Sequence, residues 1–185
     1  MGCDIHFFTE RWTNNKNYDG PKDIQTERNN KLNNILKNDE YTYQEYSWVT
    51  ADKWTNIVED GEQEQKNRYY WNSSTYYNDR NYFLFSILAD VRNSYDIKPI
   101  SEPRGIPDDC CFPIKFVTNL WHGDGHSHSY FTLKELIDVD WDSYCNCTNP
   151  KQPFNRTHWL DDFKLTLNKL KEIDSNPENV RCVFF

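Results

Sequence analysis

The sequence is poor in methionine, glycine and histidine, with one, six and five residues among 185. One methionine and few aliphatic side chains leave Trp, Tyr and Phe, 16% of the chain, to supply much of any core. Long apolar runs are missing as well. The longest, Tyr82 to Ala89, is far too short to span a bilayer. Positive charge is not in excess. Lys and Arg number 21 against 29 acids, a net charge of −8, which argues against a protein that coats duplex nucleic acid or lies on an anionic membrane. Residues 1–10 carry Asp4, His6 and Glu10, so they do not read as a secretory leader. His6 stands where a myristoylation motif needs Ser or Thr. The expectation is a soluble, non-secreted chain whose six cysteines are free thiols, with no membrane and no disulfide-linked partner. The length fits a single domain, residues 1–185, with no internal repeat or low-complexity linker; oligomeric state is not legible.

Several familiar catalytic signatures are also absent. There is no Gly-rich phosphate loop and no Gly-x-Ser-x-Gly elbow. The twin His-x-Ser/Thr motifs of two-histidine phosphoesterases are missing, because His6, His122 and His158 are each followed by other residues. Cys110-Cys111 and Cys145-x-Cys147 lack the two-to-four-residue spacing of zinc knuckles.

Against that background one stretch stands out. Residues 121–129, Trp-His-Gly-Asp-Gly-His-Ser-His-Ser, hold three of the five histidines and an aspartate. His122, Asp124, His126 and His128 alternate, so an extended backbone turns them one way. Imidazole and carboxylate suit Zn or Mn, and a bound divalent metal activates water toward a phosphoester or amide. Gly123 and Gly125 work against strict alternation, since glycines mark turns. A second reading makes His126 a metal-free general acid or base. A third makes the cluster a hydrogen-bonded structural turn.

Elsewhere, the period of two in residues 2–12 predicts a strand with Asp4 and His6 on one face, either a ligand pair or the polar side of an edge strand. Residues 13–40 read as a long loop with a weak helix over 27–37, 41–49 as a strand, 50–65 as mixed helix and loop, and 69–77 as an aromatic run without period. A buried helix is predicted over 79–93, capped by Asp79 and ending near Asp90 and Arg92. Prolines 99, 103 and 107 stiffen the segment 98–109, where Glu102 and Arg104 flank Pro103. That pair either fastens the loop or presents an acid and a phosphate-binding guanidinium. Residues 112–120 read as a short strand. Thr132 and Glu135 form a capping box for a helix to about Val139. An amphipathic helix is predicted over 157–173, and a strand inside the sheet over 180–185. The expected fold is α+β: a mostly antiparallel sheet with two main helices, 79–93 and 157–173, packed on it.

Four motifs, Met-Gly-Cys-Asp-Ile-His at 1–6 and the segments 80–93, 100–109 and 124–129, occur in order. Together they resemble a family of uncharacterised proteins of phages and large DNA viruses that open with Met-Gly-Cys-Asp-Ile-His. The resemblance covers about a fifth of the chain. It implies a viral protein of the host cytoplasm and groups the motifs as one site, without giving a reaction. The leading expectation is a metal-assisted hydrolase acting on a phosphate-containing small molecule or a nucleic-acid end. Asp4, His6 and His128 would bind a divalent metal (Zn or Mn). His126, Asp124 and Glu102 would be the acid, base and water-orienting groups, and Arg104 and Arg92 would hold phosphate. The alternative is a viral binding, sequestration or virion protein that uses the same polar pocket without turnover.

Overall fold

The computed structural model describes residues 5–14, 46–57, 70–121, 125, 127–145 and 157–185. Four strands form an antiparallel sheet in the order β2-β1-β6-β5: β1 Phe7–Asn14, β2 Tyr46–Thr50, β5 Ser129–Thr132 and β6 Val180–Phe184. Strands β3 (Lys53–Ile57) and β4 (Tyr70–Ser74) make a separate antiparallel pair. The segment 180–185 therefore does close inside the sheet, between β1 and β5, and is buried along its length.

Both faces of the sheet are covered, which explains why β6 carries no polar alternation. Phe7, Phe131, Cys182 and Phe184 point to one side. There they meet helix α1 (Tyr82–Ala89) and helix α5 (Asp161–Leu170) in the larger core. Phe85 lies edge-on to Phe184 at 5.7 Å, and Phe163 edge-on to Phe7 at 6.0 Å. Phe8, Val183 and Phe185 point to the other side, against helix α2 (Phe112–Trp121), whose Ile114 and Val117 complete a smaller core with Cys110 and Cys111. This is the expected α+β architecture, with a four-stranded antiparallel sheet and helices packed on it.

Helix α1 is shorter than the sequence suggests. Asn81 rather than Asp79 caps it, its side chain accepting from Leu84 N at 3.0 Å, and Asp90 ends it in a left-handed conformation. Every residue from Phe83 to Ala89 is buried, so no polar stripe marks its limits. The capping box holds. Thr132 caps α3 (Leu133–Asp138), and Glu135 reaches back to Thr132 N at 2.8 Å. A short helix α4 (Trp141–Cys145) follows; a 3-10 turn over Thr157–Leu160 then leads into α5.

Two assignments need correction. Residues 112–120 are helix α2, not a strand. Ile114 and Val117 are both buried on the sheet side, which an odd spacing allows in a helix and forbids in a half-covered strand. Pro113 lies in the first turn, where a missing N–H costs nothing. Within 50–65, residues 53–57 form β3 rather than helix or loop. The run 69–77, to which the sequence assigns no element, contains β4. The reading of 15–40 as loop and weak helix lies outside the described residues.

Candidate functional site

Strand pairing determines which predicted site residues meet. Phe7 pairs with Phe184, and Phe184 with Ser129. One step further along, His6 and Phe185 exchange backbone hydrogen bonds of 2.8 and 3.1 Å, and His128 stands across from Phe185 on its other flank. Directly opposed residues project to the same face. His6, Phe185 and His128 therefore form a row across one end of the sheet, on the face that α2 covers. Phe185 stands between the two imidazoles, its ring centroid 5.2 Å from that of His6 and 5.0 Å from that of His128. The two histidine backbones are two strand spacings apart, roughly 10 Å. The ring of His6, two residues before Phe8 and on the same face, also lies parallel to that of Phe8, and 4.7 Å from the ring of Trp121 at the end of α2.

The proline-rich loop reaches the same place. Gly105 N donates to His128 O at 2.8 Å, and Arg104 N to Ser129 Oγ at 3.2 Å. Gly105 holds φ +82, a left-handed conformation that a side chain would strain, although a Cβ there would meet nothing within 4 Å. The loop thus covers the outer edge of β5, which would otherwise expose unpaired backbone groups. Of the sites named from sequence, His6, His128 and the Arg104 loop come together.

The Arg104 side chain does not pair with Glu102. Its Nη1 donates to Glu135, 2.9 and 3.0 Å from the two carboxylate oxygens, and to Tyr130 O at 3.2 Å, while its guanidinium carbon lies 4.3 Å from the Phe131 ring centroid. One acid therefore both caps α3 and holds the loop arginine. Glu102 is exposed on the loop. Arg92 follows α1, on the side of the larger core, with its guanidinium 5.3 Å from the Tyr82 ring. Asp4, His122, Asp124 and His126 lie outside the described residues. Among the described residues no group of three or more His, Cys, Asp or Glu is placed to hold a metal. Cys110, Cys111, Cys145 and Cys182 are buried free thiols. Burial pushes Cys110 up to about 12 and raises Cys111 and Cys182 well above the usual thiol range, which makes them poor nucleophiles.

The same face holds a charged network that the sequence reading missed. Glu10 and Arg181 are opposed in the β1–β6 register, and both are buried. Arg181 Nε donates to Glu10 Oε2 at 2.7 Å, and its Nη1 to Asp109 Oδ1 at 2.8 Å. Trp48 Nε1 donates to Asp109 Oδ2 at 3.1 Å, and its ring lies 4.0 Å from the guanidinium. Glu10 Oε1 accepts from Cys111 N, just before the first turn of α2. Burial raises the Glu10 pKa, and Arg181 and the Cys111 N–H oppose that rise. The network fixes the start of α2, whose other end delivers Trp121 to His6. Arg181, the one charge in the otherwise apolar β6, was the signal available.

A groove of about 320 Å³ between α4 and α5 lies on the side of the larger core, and its Lys164 is held by Asp142 at 2.6 Å. It shares no residue with the histidine row. Among the described residues no helix is long and apolar enough to cross a membrane. No family model, characterised protein or solved structure matches the chain.

Proposed function

We propose that the sheet end carrying His6 and His128 is the active site of a metal-assisted hydrolase acting on a phosphate-containing small molecule or a nucleic-acid end. One observation carries this reading. Segments far apart in sequence, the N-terminal motif, the 98–109 loop and the His128–Ser129 edge, meet at one end of the sheet. The donor types fit a divalent ion such as Zn or Mn, since imidazole nitrogen suits both. The count is incomplete, because two imidazoles separated by a phenyl ring do not make a site alone. Asp4, Asp124 and His126 are the residues that would complete it. When bound, such an ion supplies an activated water and a Lewis acid for the phosphoryl oxygen. The chain's own residues position the site: the 98–109 loop closes the β5 edge, and the Glu10–Arg181–Asp109 network fixes α2 above it.

A second reading, non-enzymatic binding or sequestration by a viral or virion protein, has its own support. Arg104 Nη1 is engaged by Glu135 and Tyr130 O, and Phe185 fills the space between the imidazoles. Polar side chains held in place in that way serve binding without turnover. Untagged protein assayed for metal content and phosphomonoester turnover, before and after chelation, separates the two. Stoichiometric Zn or Mn with turnover that chelation abolishes and His128→Ala reduces supports the hydrolase. Ligand binding with no metal and no turnover supports sequestration.

A further inference from the structure

The chain crosses between its two sheets within two residues. Strand β2 ends at Thr50 and β3 starts at Lys53, so Ala51 and Asp52 make the whole crossing. Ala51 N still donates to Thr9 O at 2.8 Å, but Thr9 N donates to Asp52 Oδ2, at 2.7 Å. A side-chain carboxyl thus takes a ladder position at the point where the main chain turns away. The second leg of the β3–β4 ribbon returns to the same spot. Strand β4 ends at Ser74, the Tyr76 N–H faces the Asp52 carboxyl, and Tyr76 O accepts from Thr166 Oγ1 of α5 at 3.4 Å. Beyond it, Tyr77 is buried against Phe7 and Phe163. One carboxyl therefore joins β1 to both legs of the ribbon.

That carboxyl is badly placed to carry charge. Asp52 is buried, and no hydrogen bond of ordinary length closes on its Oδ1 among the described residues. The titratable groups that face it are Glu10, next along β1 from Thr9, the Cys182 thiol, opposite Thr9 on β6, and the Tyr76 phenol. Of the cations, Arg181 is held by Glu10 and Asp109, and Arg11 acts on the Tyr76 phenol together with Glu172. An ionised carboxyl in that place reaches water only by leaving it. Asp52 belongs to a leg of the ribbon, so the smallest opening that hydrates it undocks the ribbon and leaves β1 and β6 paired. We propose that Asp52 is a proton-operated latch: protonated, it docks the β3–β4 ribbon on β1, and its ionisation releases the base of the ribbon while the four-stranded sheet stays folded. Burial pushes this carboxyl from its ordinary 3.8 up to about 7, so the docked state holds a proton that the open state has released. Docking is fullest below about pH 4 and weakens as pH rises to about 7.

Hydrogen exchange of the full chain, followed by NMR at about pH 5 and about pH 8 and corrected for intrinsic exchange, tests this on the cross-strand amides of 53–57 and 70–74. The ribbon amides should be less protected than those of β6 at both pH values, and their protection should fall about tenfold or more between the two. Asp52→Asn keeps an acceptor for Thr9 N with no charge to ionise, and should hold the ribbon's protection steady across the range. Where that variant does not fold, the wild type decides. Its Asp52 carboxyl carbon should titrate at about 7, the pH above which the ribbon's protection stops falling. Ribbon protection that does not change with pH, that falls as much in Asp52→Asn, or that matches the protection of β6 throughout overturns the latch. So does an Asp52 carboxyl carbon that titrates at about 4.

Discussion

Asp52 sits just after β2 with only 7% of its surface exposed, and its Oδ2 accepts from Thr9 N at 2.7 Å. Burial is the main cause that pushes its pKa up to about 7; the nearby Glu10 adds to the rise and the Thr9 and Tyr76 N–H groups oppose it. Between pH 4 and 7 the native carboxyl therefore holds a proton that the unfolded chain has released. The native state binds more protons over that window, so stability falls as pH rises through it. The full loss is roughly 4 kcal/mol, set by a shift of about three pH units in a group almost wholly out of water. Urea unfolding at pH 4.5 and 7.5 checks this. The wild type should lose stability between the two, and Asp52→Asn should lose much less. Glu10 is the second buried acid. Glu10→Ala leaves Arg181 buried with Asp109 as its remaining acid, and should cost about 3–5 kcal/mol in equilibrium unfolding. Neither acid was legible as a site from sequence. Only the β1–β6 pairing shows that Glu10 faces Arg181.

At the scale of elements, α2 carries the argument. It spans the covered face from the Glu10–Arg181 network to the histidine row, so its helical state fixes where Trp121 stands. Ile114 and Val117 are buried while Lys115 and Asn119 are exposed. Ile114→Ala should cost about 2–5 kcal/mol by leaving a cavity, and Asn119→Ala should change stability by less than about 0.5 kcal/mol. Denaturation of Ile114→Ala beside Val117→Ala, both expected to lose stability, tests the helix directly, because a strand would not bury both side chains in one core. Elsewhere the elements that could be read were those with an unambiguous local cause. The Thr132–Glu135 box and the apolar closing strand appear where their side chains require, and the helix expected over 157–173 appears as a 3-10 turn over 157–160 and an α-helix over 161–170. The elements misread lacked such a cause. Residues 112–120 mix Phe, Val and Thr, which favour strands, and helicity comes from packing on the sheet and from Glu10 accepting the Cys111 N–H. Thr132→Ala should cost about 1 kcal/mol through the lost cap. Its readout is thermal unfolding.

The whole molecule is a sheet with a large core on one face and a smaller, more polar one on the other. The proposed site belongs to the second, which carries two buried charges and two histidines and is flanked at the β5 edge by the stiff loop. The resemblance grouped the motifs at 1–6, 100–109 and 124–129 as one site; strand pairing places His6 and His128 on either side of Phe185, and the loop bonds to His128 O, while Asp4 lies outside the described residues. What was not legible was the ring between the histidines. Phe185 reads as one more apolar residue until the register sets it opposite both His6 and His128. The proposed role of that row in metal binding is the central claim. Cobalt(II) loading of untagged protein, followed by visible absorption, tests it most directly. The account predicts one equivalent bound by the wild type, with affinity about tenfold or more weaker in His6→Ala and in His128→Ala while both variants stay folded. Folded wild type that binds no cobalt, or variants that bind it as tightly as the wild type, would contradict it.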